Sequence, residues 1–143
     1  MGLNDPDVSN DPPDPGEPLR GGCQCGRVRF ALLEPPTQAT ACHCRQCRQQ
    51  SGHYLASANL PKAAVQLEGA EHLRWYASSP KVRRGFCGHC GSWLFWEPLF
   101  HDWTSVALGA IDGSTGLRLE RHIFVAEKGD YYEIADGLPQ NPR

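Results

Sequence analysis

Gly21-Gly22-Cys23-Gln24-Cys25-Gly26-Arg27-Val28-Arg29-Phe30 is the stretch from which the fold can be read. Two thiols sit one residue apart. Val28, Phe30 and Leu32 then alternate with Arg27, Arg29 and Ala31. That period of two marks a half-buried β-strand, and at that period Cys23 and Cys25 share a face while Gln24 points away. The pattern recurs along the chain. Leu55 lies in HYLASANL (53–60). Further candidate strands are VQLEG (65–69), HLRWYA (72–77), VRRGFC (82–87), SWLFWE (92–97), TSVALGAI (104–111) and HIFVAE (122–127). The runs are short and punctuated by Gly, Pro, Asn and Ser, which predicts a mainly β domain of antiparallel sheets with little helix. The two helical candidates are RQCRQQSG (45–52) and a short piece around residues 130–135.

Cys23 and Cys25 open the first of three cysteine clusters. The others are Cys42-His43-Cys44-Arg45-Gln46-Cys47 and Cys87-Gly88-His89-Cys90-Gly91. Paired thiolates clasp soft and borderline metals strongly. Seven is an awkward count for disulfides, but it divides into four plus three. Cys87-x-x-Cys90-Gly91 reads as a metal knuckle, its glycines supplying backbone conformations other residues resist. With Cys23 and Cys25 it would make a closed four-cysteine zinc site worth ~10 kcal/mol or more to folding. Cys42, Cys44 and Cys47 would then share a second zinc, with a fourth position open to water or a thiol. Spacing alone also allows Cys23, Cys25, Cys42 and Cys44 as the quartet, leaving Cys47, Cys87 and Cys90 as the trio.

The 143 residues favour one domain, able to bury about two-thirds of its unfolded surface. Residues 1–18 are acidic and proline-rich and predict a flexible arm, free to lie against the domain or a neighbouring subunit of a homodimer. The folded domain is expected over 19–138, with 139–143 as a polar tail. No apolar run approaches the ~18 residues of a membrane span, and the N-terminus lacks the features of a secretory leader. A cytoplasmic, reducing setting follows, where metal binding is favoured over disulfides. The formal charge is −2, and two divalent ions on seven thiolates would take it to about −5. Neither that charge nor any basic stripe suits nucleic acid. GGCQCG lacks the lysine and hydroxyl of a phosphate-binding loop.

Three segments together resemble the signature of the glutathione-dependent formaldehyde-activating enzymes, a family that also includes centromere protein V. They are Gly21-Gly22-Cys23-Gln24-Cys25-Gly26-x-Val28-x-Phe30, Cys42-His43-Cys44-x-x-Cys47-Arg48-x-x-x-Gly52, and Arg84-x-Phe86-Cys87-x-x-Cys90-Gly91-Ser92-x-Leu94. The match spans roughly residues 19–127 with all seven cysteines in register. The resemblance implies an Mss4-like β-tent stapled by zinc. It assigns Cys23, Cys25, Cys87 and Cys90 to a structural ion and Cys42, Cys44 and Cys47 to a catalytic-type one. The activity it implies is carbon–sulfur lyase chemistry, joining formaldehyde reversibly to the thiol of glutathione.

That chemistry needs a proton carrier and cations for carboxylates. His53 and Tyr54 follow the trio closely and are the candidate acids. Strand alternation aims His43 away from the metal, as a packed or surface residue. His89, inside the knuckle, is expected to be exposed, and His72, His101 and His122 carry no local signal. Arg45 and Arg48 flank Cys47, and Arg83 and Arg84 precede Cys87. Of these, Arg45, Arg48 and Arg84 are the candidate glutathione grips. Trp75, Trp93, Trp96 and Trp103 are candidate pocket walls or sheet packing. The leading function is a zinc-dependent enzyme acting on small thiol–aldehyde adducts. The alternatives are a non-catalytic zinc-stabilised protein-binding module and a thiol redox or metal sensor built on the trio.

Overall fold

The computed structural model describes residues 14–143. Most of the expected N-terminal arm lies outside the described residues. Ten strands and one α-helix follow: β1 (Leu19–Gly22), β2 (Arg29–Leu32), β3 (Thr37–Cys42), α1 (Arg45–Ser51), β4 (Leu55–Pro61), β5 (Val65–Glu68), β6 (Leu73–Ser79), β7 (Val82–Cys87), β8 (Trp93–Pro98), β9 (Trp103–Ala107) and β10 (Arg121–Ile123). They form a three-stranded sheet, β1-β2-β5, and a seven-stranded sheet ordered β10-β3-β4-β9-β8-β7-β6. The architecture is mainly β, as the alternation predicts.

Several details differ from the sequence reading. β1 and β3 escape the pattern, because GG at 21–22 and TQAT at 37–40 offer no alternating large apolar side chains. The run at 104–111 is a strand only as far as Ala107, then turns through a single 3-10 segment, Leu108–Ala110. Pairing is antiparallel except at one edge, where β10 runs parallel to β3 with His122 opposite Ala41. No helix forms around residues 130–135. Residues beyond 138 do not run free: His122 exchanges backbone hydrogen bonds with Pro139 and Asn141, and Val125 donates to Asn141. The physical reason is the open edge of β10, whose unpaired groups need partners.

The two sheets pack face to face. Phe30, Leu32, Leu60, Phe95 and Val106 are buried between them, and the rings of Phe30 and Phe95 meet edge to face at 5.6 Å. Each such side chain contributes roughly 1.5–3 kcal/mol by leaving water. Two glycines are steric requirements. A Cβ at Gly85 would lie 2.9 Å from the Trp75 ring, so its absence lets that ring cross the sheet. Gly69 has φ +74° and sits where a Cβ would meet the Arg27 carbonyl oxygen at 1.7 Å. On the large sheet, residues facing the small sheet alternate with residues facing outward. Arg84 lies opposite Trp96, which lies opposite Ser105, itself opposite Asn59. This outward row forms the floor of the site.

Candidate metal and substrate site

Cys23 and Cys25 lie between β1 and β2, at the small sheet. Cys87 ends β7, and Cys90 follows it before β8, at the large sheet. Their four sulfurs lie within 4.8 Å of one another, with Cys23–Cys25 at 3.5 Å and Cys25–Cys87 at 3.7 Å. All seven cysteines are free thiols. A tetrahedral ion with ~2.3 Å metal–sulfur bonds sets its sulfurs about 3.8 Å apart, so these spacings fit a four-thiolate site. Backbone amides already serve the sulfurs: Val28 donates to Cys23 at 3.2 Å, and His89 and Cys90 donate to Cys87. Burial pushes the Cys23 thiol up to about 11, while the Arg27 backbone amide holds Cys25 down. A bound cation would let all four ionise together.

Cys42, Cys44 and Cys47 form the second group, their sulfurs also within 4.8 Å of one another. Each takes its place from a different local device. Cys42 ends β3. Cys44 caps α1, its sulfur accepting from the Cys47 amide at 3.4 Å, and Cys47 turns inward from the first turn. The helix closes after seven residues at Gly52, φ +87°. Of the two groupings that spacing allows, the fold brings together the sulfurs of 23, 25, 87 and 90 and keeps the trio local. Hydrogen bonds from Cys42 and Cys47 hold the Cys44 sulfur far below the ordinary thiol range, and the Arg84 charge adds to this. The same bond to Cys44 drives Cys42 the other way.

The trio opens on a cavity of about 570 Å³. Trp96 and Trp103 wall one side, their rings stacked with centroids 5.7 Å apart. Ser57, Asn59 and Ser105 form a polar strip, Ser105 Oγ donating to Asn59 Oδ1 at 2.6 Å. Arg45 and Glu127 stand at the rim, tied because the Arg45 amide donates to Glu127 Oε1. Arg84 is buried beneath the trio. It reaches Cys47 Sγ with both terminal nitrogens, at 3.5 and 3.6 Å, and also donates to Gln50 and Gln46. Its buried Nε has no partner among the described residues.

The expected residues divide. Arg45 and Arg84 line the cavity, while Arg48 does not; its Nε donates to the Glu127 carbonyl. Arg84 is committed to the cysteine cluster rather than free to grip a carboxylate. Arg83 points to the other side, paired with Glu97 at 2.8 Å and stacked over Trp75. His53 and Tyr54 are not among the cavity's lining residues; Leu55 is, and alternation turns Tyr54 away from it. His53 is exposed and bonds the Tyr131 hydroxyl, with its ring against Tyr132. Glu127 and the Ser57–Asn59–Ser105 strip also line the cavity, and nothing local in sequence signals a polar residue that the register brings there. The run at 122–127 reads as a strand throughout, but β10 ends at Ile123 and a 3-10 turn, Val125–Glu127, carries Glu127 to the rim.

His43, 1% exposed, faces away from the cavity as alternation predicts. It joins a buried hydrogen-bonded chain: Tyr132 hydroxyl to His43 Nδ1 at 2.8 Å, His43 Nε2 to His122 Nδ1 at 2.9 Å, and His122 Nε2 to Asp136 at 2.6 Å. Burial, then the neighbouring His122, pushes His43 down to about 4. A neutral imidazole has one donor and one acceptor nitrogen, and both are used here. The chain anchors the peptide between Cys42 and Cys44 to the C-terminal segment.

A mainly β protein with one sulfur quartet joining its sheets and one sulfur trio facing a cavity is the class these features define. A family model described as glutathione-dependent formaldehyde-activating enzyme matches residues 18–127. A Halomonas elongata protein provisionally named as such an enzyme is 36% identical over 131 residues, 81% of this chain and 80% of its own. The chain belongs to the glutathione-dependent formaldehyde-activating enzyme family. An uncharacterised lyase of Schizosaccharomyces pombe is 27% identical over 81% of this chain and 85% of its own length. A crystal structure of a Rhodobacter sphaeroides protein superposes with a TM-score of 0.53 at 27% identity, covering 66% of this chain and 89% of that one. Among the described residues no helix is long and apolar enough to cross a membrane.

Proposed function

We propose that this protein is a zinc-dependent carbon–sulfur lyase that reversibly joins a small thiol to an aldehyde, with glutathione and formaldehyde as the pair its family suggests. The observation that carries the reading is a three-sulfur cluster opening on a cavity large enough for a tripeptide. Cys42, Cys44 and Cys47 would hold one ion and Cys23, Cys25, Cys87 and Cys90 the other; zinc bound to the trio would supply Lewis acidity that lowers the pKa of a substrate thiol.

The chain's own residues supply the rest. Arg84 offsets the negative charge of the trio and orients Cys47. Arg45 at the rim offers a guanidinium to a substrate carboxylate. As the carbon–sulfur bond forms, the carbonyl π electrons move to oxygen, which must gain a proton. The Ser57 hydroxyl, which lines the cavity, would donate to that oxygen, Ser105 being spent on Asn59, and the Glu127 carboxylate at the rim would relay the proton from the thiol. His53 and Tyr54 have no direct part in this scheme.

The test is exchange spectroscopy on glutathione and formaldehyde with the metal-loaded protein. Adduct formation should accelerate over the uncatalysed reaction. Cys44→Ser should abolish the effect while the circular dichroism stays native, and Glu127→Gln should cut the rate by about 10²-fold. No acceleration with both sites filled would overturn the proposal and leave a zinc-stabilised binding module.

A further inference from the structure

A second cavity, of about 390 Å³, lies on the same outward face of the large sheet. It shares three lining residues with the first: Val82, Trp96 and Trp103. The register shows why. Val82 is opposite Pro98, and Arg84 is opposite Trp96, so these four side chains stand in one row on one face. The step from Arg84 to Val82 is two residues, roughly 7 Å along the strand. The row therefore runs from the cysteine trio at Arg84, past the stacked tryptophans, to a half-open chamber bordered by Pro98, Phe100 and His101.

The two chambers differ in chemistry. The first carries Arg45, Arg84, Glu127 and the serine–asparagine strip. The second is walled by tryptophan, phenylalanine, proline and valine, with Lys81 and His101 as its polar residues. Phe100 is 77% exposed at the turn between β8 and β9. Phe100 continues the apolar surface of Val82, Trp96, Pro98 and Trp103, and a contiguous apolar hollow of this kind suits an apolar group. A formaldehyde carbon would need no such chamber.

We propose that this chamber is a subsite for an apolar substituent of the substrate, so that the site accepts adducts of medium-chain or arylalkyl aldehydes and prefers them to the formaldehyde adduct. The reaction is unchanged: the thiol adds across the carbonyl, the carbon–sulfur bond forms, and the proton passes to oxygen. This rests on the thiol–aldehyde reading above for the chemistry at the sulfur end. The fit of an apolar group rests on the chamber alone.

Two stable thioethers separate the ideas, because neither can react. S-methylglutathione and S-hexylglutathione are titrated into the full chain by calorimetry. S-hexylglutathione should bind roughly tenfold or more tightly, since several methylenes leave water. Phe100→Ala, a surface change that folding tolerates, should shrink that preference to about threefold or less. Equal affinities, no binding of the hexyl probe, or an undiminished preference in F100A overturns the subsite. Adduct formation is then followed with formaldehyde and with phenylacetaldehyde. A Phe100-dependent hexyl preference without acceleration of either aldehyde would sink the lyase reading and keep the subsite. Acceleration of formaldehyde without the preference would do the reverse.

Discussion

Arg84 is a buried cation with three kinds of partner: a cysteine sulfur, two glutamine carbonyls and the open cavity. Isolated burial of a guanidinium costs several kcal/mol, and its bonds to the Cys47 sulfur and two glutamine carbonyls, with the nearby low-pKa Cys44, offset it. On the proposed reading Arg84 positions the trio rather than gripping a carboxylate. Arg84→Gln removes the charge and should weaken the trio's metal by about tenfold or more, as loss of an outer hydrogen-bond partner does. Competition with a chromophoric chelator measures this, and the quartet should keep its affinity unchanged. Equal loss at both sites would show general destabilisation instead.

At the scale of elements, the segment after β10 matters most. Its residues from 139 onward pair with His122, Val125 and Ala126, and Tyr132 and Asp136 close over His43 and His122. The parallel edge at β3 is thereby covered, and the peptide between Cys42 and Cys44 is held from behind. Truncation after Leu138 removes about four backbone bonds and should cost about 2–4 kcal/mol in urea unfolding. Tyr132→Phe deletes one hydroxyl that donates to His43 and should cost about 1 kcal/mol. A truncated chain with unchanged midpoint would show that the pairing contributes nothing.

For the whole molecule, the quartet joins the sheets at a point where the apolar core is modest. Cys23 and Cys87 belong to the buried cluster that also holds Phe30 and Phe95. On the proposed reading, loss of an ion there would free both the sheet contact and the two buried thiols, Cys23 and Cys87. Cys87→Ser should therefore abolish cooperative folding, whereas Cys44→Ser leaves the thermal transition in place. Stepwise chelation should empty the cavity-facing trio first with native circular dichroism retained, and unfolding should accompany loss of the second ion. Simultaneous loss of both ions with unfolding would contradict this division.

Alternation along β2, β4 and β5 to β8 was legible because period two reports which face is buried, and burial is what the apolar side chains encode. The trio at Cys42–Cys47 was equally legible, being closed within six residues by a strand end, a cap and one helical turn. β1, β3 and the parallel edge were not, since glycine-rich and polar strands carry no such signal and owe their place to neighbours. Likewise, Arg84 and Glu127 meet the trio's cavity, and His53 and Tyr54 turn from it, through tertiary placement alone. Local spacing sets which atoms share a face, and so the sequence by itself determined the three cysteine clusters but left open how they combine into a quartet and a trio. Which faces meet across ~60 residues, and hence what surrounds the open corner, depends on sheet pairing, a cooperative property that only the tertiary structure decides.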